Sequence, residues 1–244
     1  MNGNIGMRAL SALLAMLLVS AGVVPVMACN PLEPGACTGY SFTESSGVVD
    51  DSNIVVSSDE LTGDTKNAAI AQALSDTAVR HLRDGLLRDG FILSTKQIQA
   101  IKGVTTNESM TVTTTLVTMP FIKEASDGKA FLVFASNELG SEARAFVAHD
   151  GIISYLRYDP AVAGLTEDDD GLVCEFCLYA FSRICGFIAD SGCAVGCTNL
   201  CIKPTHPLII VGCAGACALA CDFFVAHGAC NWGAQQACEG AGLC

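Results

Sequence analysis

The sequence predicts an α+β middle domain, a helix laid over an antiparallel meander sheet, followed by a small all-α, disulfide-rich helical-hairpin domain. Three observations carry this reading. Ala68, Ala69, Ala71, Leu74, Ala78, Leu82 and Leu86 recur near helical spacing. Apolar and β-branched runs at 111–118, 130–135, 143–148 and 152–158 alternate with turn dipeptides. Twelve of the 14 cysteines fall between Cys174 and Cys244, six of them in two triplets with an i, i+4, i+8 period.

The helix is expected to be capped by Asp64 or Thr65 and stopped by Asp89-Gly90. Asp127-Gly128, Leu139-Gly140 and Asp150-Gly151 are the connectors of the meander. Residues 59–165 therefore read as one α+β domain. Before it, residues 29–58 are rich in Pro, Ser and Gly without sustained periodicity, which reads as a linker. After it, Thr166-Glu-Asp-Asp-Asp-Gly171 is a short acidic linker. Exposed polar linkers are where proteases cut, so processing is expected at Asp170 and Gly171, which would release a peptide comprising residues 172–244 or slightly more.

At the other end, Arg8 precedes an apolar run from Ala9, and Val26 and Ala28 fit a small-residue cleavage site, so residues 1–28 read as a secretory signal peptide cut between Ala28 and Cys29. The remainder is expected to be secreted into an oxidising space. Two fates stay open for Cys29: lipidation, which would anchor the chain in a membrane, or a disulfide with Cys37.

Charge excludes one class of partner. Of 244 residues, 25 are Asp or Glu and 13 are Lys or Arg, a net charge of -12, and residues 29–170 hold 21 of the acids and 10 of the bases. A phosphate backbone needs clustered cations, so no nucleic acid is expected. His81 and His149 stand alone, without a cysteine or second histidine at ligand spacing, and no nucleophile elbow occurs. The chain is thus read as no enzyme, with no catalytic residue, metal, cofactor or small-molecule substrate.

The cysteines dominate the last third. Twelve thiols allow on the order of ten thousand full pairings, but their spacing narrows the choice. Cys193, Cys197 and Cys201 form one helical stripe, and Cys213, Cys217 and Cys221 form another. Between them Lys203-Pro-Thr-His-Pro207 supplies a turn, so two antiparallel helices are expected with rungs Cys193–Cys221, Cys197–Cys217 and Cys201–Cys213. Small residues between the cysteines allow the close approach that such bridges need. Outward, near-mirrored gaps add Cys185–Cys230, Cys177–Cys238 and Cys174–Cys244. Metal binding would require a second Cys-x-x-Cys, which is absent.

Residues 171–244 carry four acids and two bases beside many bulky apolar side chains. With so many sulfurs filling a small interior, some aromatics are expected to face outward, and Phe223, Phe224 and Trp232 are the candidates for contact with a membrane or receptor.

An exported chain with an acidic junction and a cysteine-rich end finishing Cys230-Asn-Trp-Gly-Ala-Gln-Gln-Ala-Cys238-Glu-Gly-Ala-Gly-Leu-Cys244 resembles the precursors of halocin C-eight, an archaeal peptide antibiotic, and its bacteriocin-like relatives. The resemblance is carried by that ending and by the opening Cys174-x-x-Cys177. It implies an antimicrobial peptide from about Gly171 to Cys244 acting on a target-cell membrane or membrane receptor. It also implies that the preceding portion is the peptide's immunity partner. The alternative from another class is a secreted or lipid-anchored cysteine-rich structural or binding protein that is never cut. A third reading is an extracellular thiol–disulfide enzyme using Cys174 and Cys177, which would need a reactive thiol.

Overall fold

The computed structural model describes residues 54–106, 109–123, 128–149, 152–167, 174–178, 180–181 and 201–244. Its centre is an antiparallel sheet of eight strands: β1 (Ile54–Glu60), β2 (Ile92–Leu93), β3 (Gln99–Thr106), β4 (Thr111–Ile122), β5 (Lys129–Asn137), β6 (Gly140–His149), β7 (Ile152–Asp159) and β8 (Gly164–Glu167). The order across the sheet is β1-β3-β4-β5-β6-β7-β8, with β2 pairing to the far end of β4.

The four runs read from the sequence lie in β4 to β7, and the sheet is larger than the meander they define. The added strands are those whose patterns are weakest. β1 is an edge strand, mostly exposed, with a register shift that leaves Val56 62% accessible, so it shows no apolar alternation and begins inside the stretch read as linker. In β3, Lys102 and Gly103 interrupt the apolar pattern. β2 and β8 span only two and four residues. β8 also runs to Glu167, so pairing continues two residues into the acidic stretch expected to be a linker from Thr166.

β4 extends four residues beyond its expected end and passes through Pro120. A proline cannot donate to a ladder. Here β3 pairs with β4 only as far as Thr118 and β2 takes over at Phe121, so Pro120 sits where the neighbouring strand changes. Its carbonyl still accepts from the Ser94 N–H at 2.9 Å.

The single helix expected over this region is two: α1 (Gly63–Ser75) and α2 (Thr77–Arg88). The break is at Asp76, whose backbone is extended and whose carboxylate accepts from the Ala78 and Val79 N–H groups at 2.8 and 3.2 Å. An Asp competes for backbone donors better than it continues a helix, which periodicity alone does not register. Neither expected cap starts α1; Thr62 occupies the N-cap without a side-chain bond. Asp89 does end α2, and Gly90 follows at φ 84°, a left-handed conformation that glycine accepts readily.

α1 and α2 cover one face of the sheet. Ala69, Ala73, Val79, Leu82 and Leu86 pack on Val117, Met119, Leu132, Phe134 and Ala145. His81 of α2 stacks on Tyr158 of β7 with ring centroids 4.1 Å apart. The opposite face, formed by Leu116, Val133, Ala135, Phe146 and Tyr155, belongs to one core with the cysteine-rich segment. Both faces are therefore covered, which explains why Ala130-Phe-Leu-Val-Phe-Ala is a continuous apolar run and not an alternation.

Beyond the sheet every described element is helical: residues 174–178 and 180–181, α3 (Pro207–His227), a 3-10 turn (Ala229–Asn231) and α4 (Ala234–Gly240). α3 contains the stripe Cys213, Cys217 and Cys221. The first arm of the expected hairpin, 193–200, lies outside the described residues, as do the signal peptide and the processing positions Ala28, Cys29, Asp170 and Gly171.

Asp76→Ala removes the side-chain cap of α2 and is expected to lower stability by about 1 kcal/mol in urea unfolding. An unchanged midpoint would show that the cap contributes nothing.

Candidate functional site

The interface between the sheet and the cysteine-rich segment concentrates the specific contacts of the molecule. On β3, Gly103 lies directly beneath Ile202, and a Cβ there would crowd the Ile202 side chain. Two residues on, and so on the same face, Thr105 donates its hydroxyl to the Ile202 carbonyl at 2.9 Å. At the end of β5, Asn137 donates its amide to the Thr205 carbonyl at 2.7 Å and to the Thr114 hydroxyl at 3.2 Å. The turn that leads into α3 is thus held by two bonds to its backbone carbonyls, groups that would be costly to bury unpaired.

α3 then crosses β5 and β6. Its Gly215 faces Phe146 of β6 so closely that a Cβ at 215 would overlap the ring. Phe146 is fully buried and lies 4.8 Å, centroid to centroid, from Tyr155 of β7. Arg144, two residues earlier on the same face, is the one buried charged residue among the described residues. It is ion-paired with Glu142, donates to the Ala143 carbonyl at 2.9 Å, and places its guanidinium 5.8 Å from the Tyr155 ring centre.

The structure bonds Cys174 to Cys244, Cys177 to Cys238 and Cys201 to Cys213, with Cα–Cα separations of 4.6, 5.9 and 5.4 Å. Cys201–Cys213 is the innermost rung expected of the two cysteine stripes, and the other two are outer pairs expected from the near-mirrored gaps. Cys217 and Cys221 are also disulfide-bonded. The expected pairs Cys193–Cys221, Cys197–Cys217, Cys185–Cys230 and Cys29–Cys37 each involve a cysteine outside the described residues. Cys174 and Cys177 are each bonded to a different distant cysteine, so they are not a Cys-x-x-Cys dithiol pair. Among the described residues no group of three His, Cys, Asp or Glu is placed to hold a metal ion.

The aromatic residues expected at a contact surface divide. Phe224 is 1% exposed and meets Phe181 edge-on at 5.2 Å, so it is a core residue and not a surface contact. Phe223 and Trp232 are half-buried at the rim of that core, 6.0 Å apart, with His227 stacked on Phe223 at 4.3 Å. Among the described residues, the large apolar side chains that are exposed, including Val56, Ile92, Ile122 and Val162, all belong to the part before residue 168. Composition suggested an open apolar face on the cysteine-rich segment. In this fold the sheet covers the part that α3 contributes, because Leu116, Val133, Phe146 and Tyr155 meet Ile210, Val211 and Ala214 in the same core.

No protein-family model, curated protein or solved structure matches the chain.

Phe146→Ala would empty the space beneath α3 and is expected to cost about 3–5 kcal/mol. Gly215→Ala, which adds a methyl where the ring lies, is expected to cost roughly 1–3 kcal/mol. Thermal unfolding checks both, and losses below about 0.5 kcal/mol, the range of neutral surface changes, would rule out tight packing at this contact.

Proposed function

We propose that the chain is a secreted precursor of a disulfide-rich antimicrobial peptide, released from its C-terminus near Asp170–Gly171. In this reading the α+β portion, 59–165, is the pro-domain and immunity partner that keeps the peptide's apolar helix covered. One observation carries it. The three resolved disulfides all lie within 174–244, whereas that segment is attached to the sheet by packing and hydrogen bonds. None of these three disulfides crosses the acidic stretch between Glu167 and Cys174, so among the described residues the contacts between the two parts that would outlast a cut there are non-covalent.

Separation would uncover Ile210, Val211 and Ala214, a face suited to a target-cell membrane or an apolar receptor. With four acids and two bases in residues 171–244, attraction to anionic lipid does not drive that contact, which favours a membrane receptor at least as much as lipid itself. The disulfides fit export to an oxidising space and would keep the free peptide folded. Docking again on the sheet would cover the same face and so protect the producer.

A second reading is favoured by the shared core. Losing residues 174–244 would bare Val133, Phe146 and Tyr155, as expected of a chain that is meant to stay whole: a secreted or lipid-anchored cysteine-rich structural or binding protein.

Intact-mass measurement of the native secreted product, with and without reduction, beside a growth-inhibition assay on related strains, separates the two. A fragment beginning near Asp170 or Gly171, heavier by two hydrogens per disulfide after reduction and inhibitory, is the expected result. An uncut, non-inhibitory chain would overturn the precursor reading. A lipid-sized mass increment at Cys29 would favour the anchored protein.

A further inference from the structure

We propose that the sheet serves as a folding template that selects the disulfide pairing of the cysteine-rich segment. The sheet would act in this way whether or not the chain is later cut.

Chain statistics alone favour the wrong bonds. Loop closure is easiest between near neighbours, and Cys213, Cys217 and Cys221 are only four residues apart. The observed bonds instead close separations of 70, 61 and 12 residues. Something must hold distant thiols together before they oxidise.

The sheet is able to do so first. Between Cys37 and Cys174 the chain has no cysteine, so the strands and the α1–α2 pair fold without any oxidation step, and they are synthesised before the segment they contact. Their exposed face then offers fixed positions on both sides of the 201–213 loop. Next to Cys201, Ile202 sits over Gly103 and its carbonyl accepts from Thr105. Asn137 holds Thr205 within the loop. Two residues beyond Cys213, Gly215 meets Phe146. Cys177, Cys201, Cys213 and Cys217 are fully buried in the same core as Phe146 and Tyr155. Seating the turn and α3 on these contacts brings Cys201 and Cys213 to a Cα separation of 5.4 Å, within bonding range.

The sheet supplies position and no electrons. In each bond two thiols lose two electrons and two protons to an external small-molecule disulfide, which leaves as two thiols, through a mixed disulfide that the second cysteine resolves.

The test is oxidative refolding of the full chain, reduced and denatured, then diluted into a buffer of oxidised and reduced glutathione, trapped by acid at intervals and mapped by mass spectrometry. Thr105→Val with Asn137→Ala removes the two clips without touching a sulfur. It is expected to slow formation of Cys201–Cys213 roughly tenfold, with non-native pairs accumulating, since two lost hydrogen bonds together weaken seating by about that factor. Leu82→Ala, on the opposite face, is the control for stability alone. Its native pairing is expected to stay near that of the wild type while the sheet remains folded, as read by far-ultraviolet circular dichroism. Unchanged pairing in the clip variant would overturn the proposal. So would an equal loss of pairing in Leu82→Ala at matched stability.

Discussion

Strands β4, β5 and β6 have no solvent face. From Ala130 to Ala135 every other side chain points to α1 and α2 and the rest point to the cysteine-rich segment, so an apolar residue is required at almost every position. An antiparallel sheet with one wet face can stand on a single layer of helices. In this one the second face is apolar as well, so without the cysteine-rich segment Val133, Phe146 and Tyr155 would form a contiguous exposed surface. The cysteine-rich segment and the sheet are consequently parts of one core, although the resolved disulfides do not join them.

That arrangement reconciles two compositions that would not coexist easily. The part before the junction carries most of the charge, 21 acids against 10 bases over residues 29–170, whereas residues 171–244 carry almost none. A peptide so apolar has little to keep it soluble by itself. Laid against the sheet, α3 buries Ile210, Val211 and Ala214, while the acidic part supplies a charged surface for the whole. The contacts are directional as well as apolar. Thr105 and Asn137 fix the turn before α3, and the Phe146–Gly215 contact fixes where along β6 the helix rests. Packing of this kind holds one register, since a shift of α3 by a single residue would place a side chain where Gly215 now admits the ring.

Much of the fold was legible because its signals are local. The runs in β4 to β7, the glycine after α2 and the helical stripe of Cys213, Cys217 and Cys221 can each be read from a window of a dozen residues. The two cysteine stripes on either side of Lys203–Pro207 suggested Cys201–Cys213, and the near-mirrored gaps beyond them suggested Cys177–Cys238 and Cys174–Cys244. What escaped was short, at an edge, interrupted in its apolar pattern as β3 is at Lys102 and Gly103, or decided by competition. β1 and β8 are edge strands without alternation, and Asp76 breaks a periodic helix by capping the next one. The candidate interface was hardest to see, because Gly103, Thr105, Asn137 and Phe146 become neighbours only once four strands are in register. The lone hint was the unbroken run at 130–135, which already implied a second covered face.

By itself, then, the sequence determined the local elements: which runs extend, which turn, and which thiols lie on one side of a helix, since each follows from spacing and backbone preference within a short stretch. Only the tertiary structure decided that Phe224 is core, that α3 lies against the sheet, and that the contact rests on a glycine facing an aromatic ring. Burial is a property of distant residues meeting, and an apolar side chain has the same sequence signature whether it faces a solvent-exposed patch or the interior.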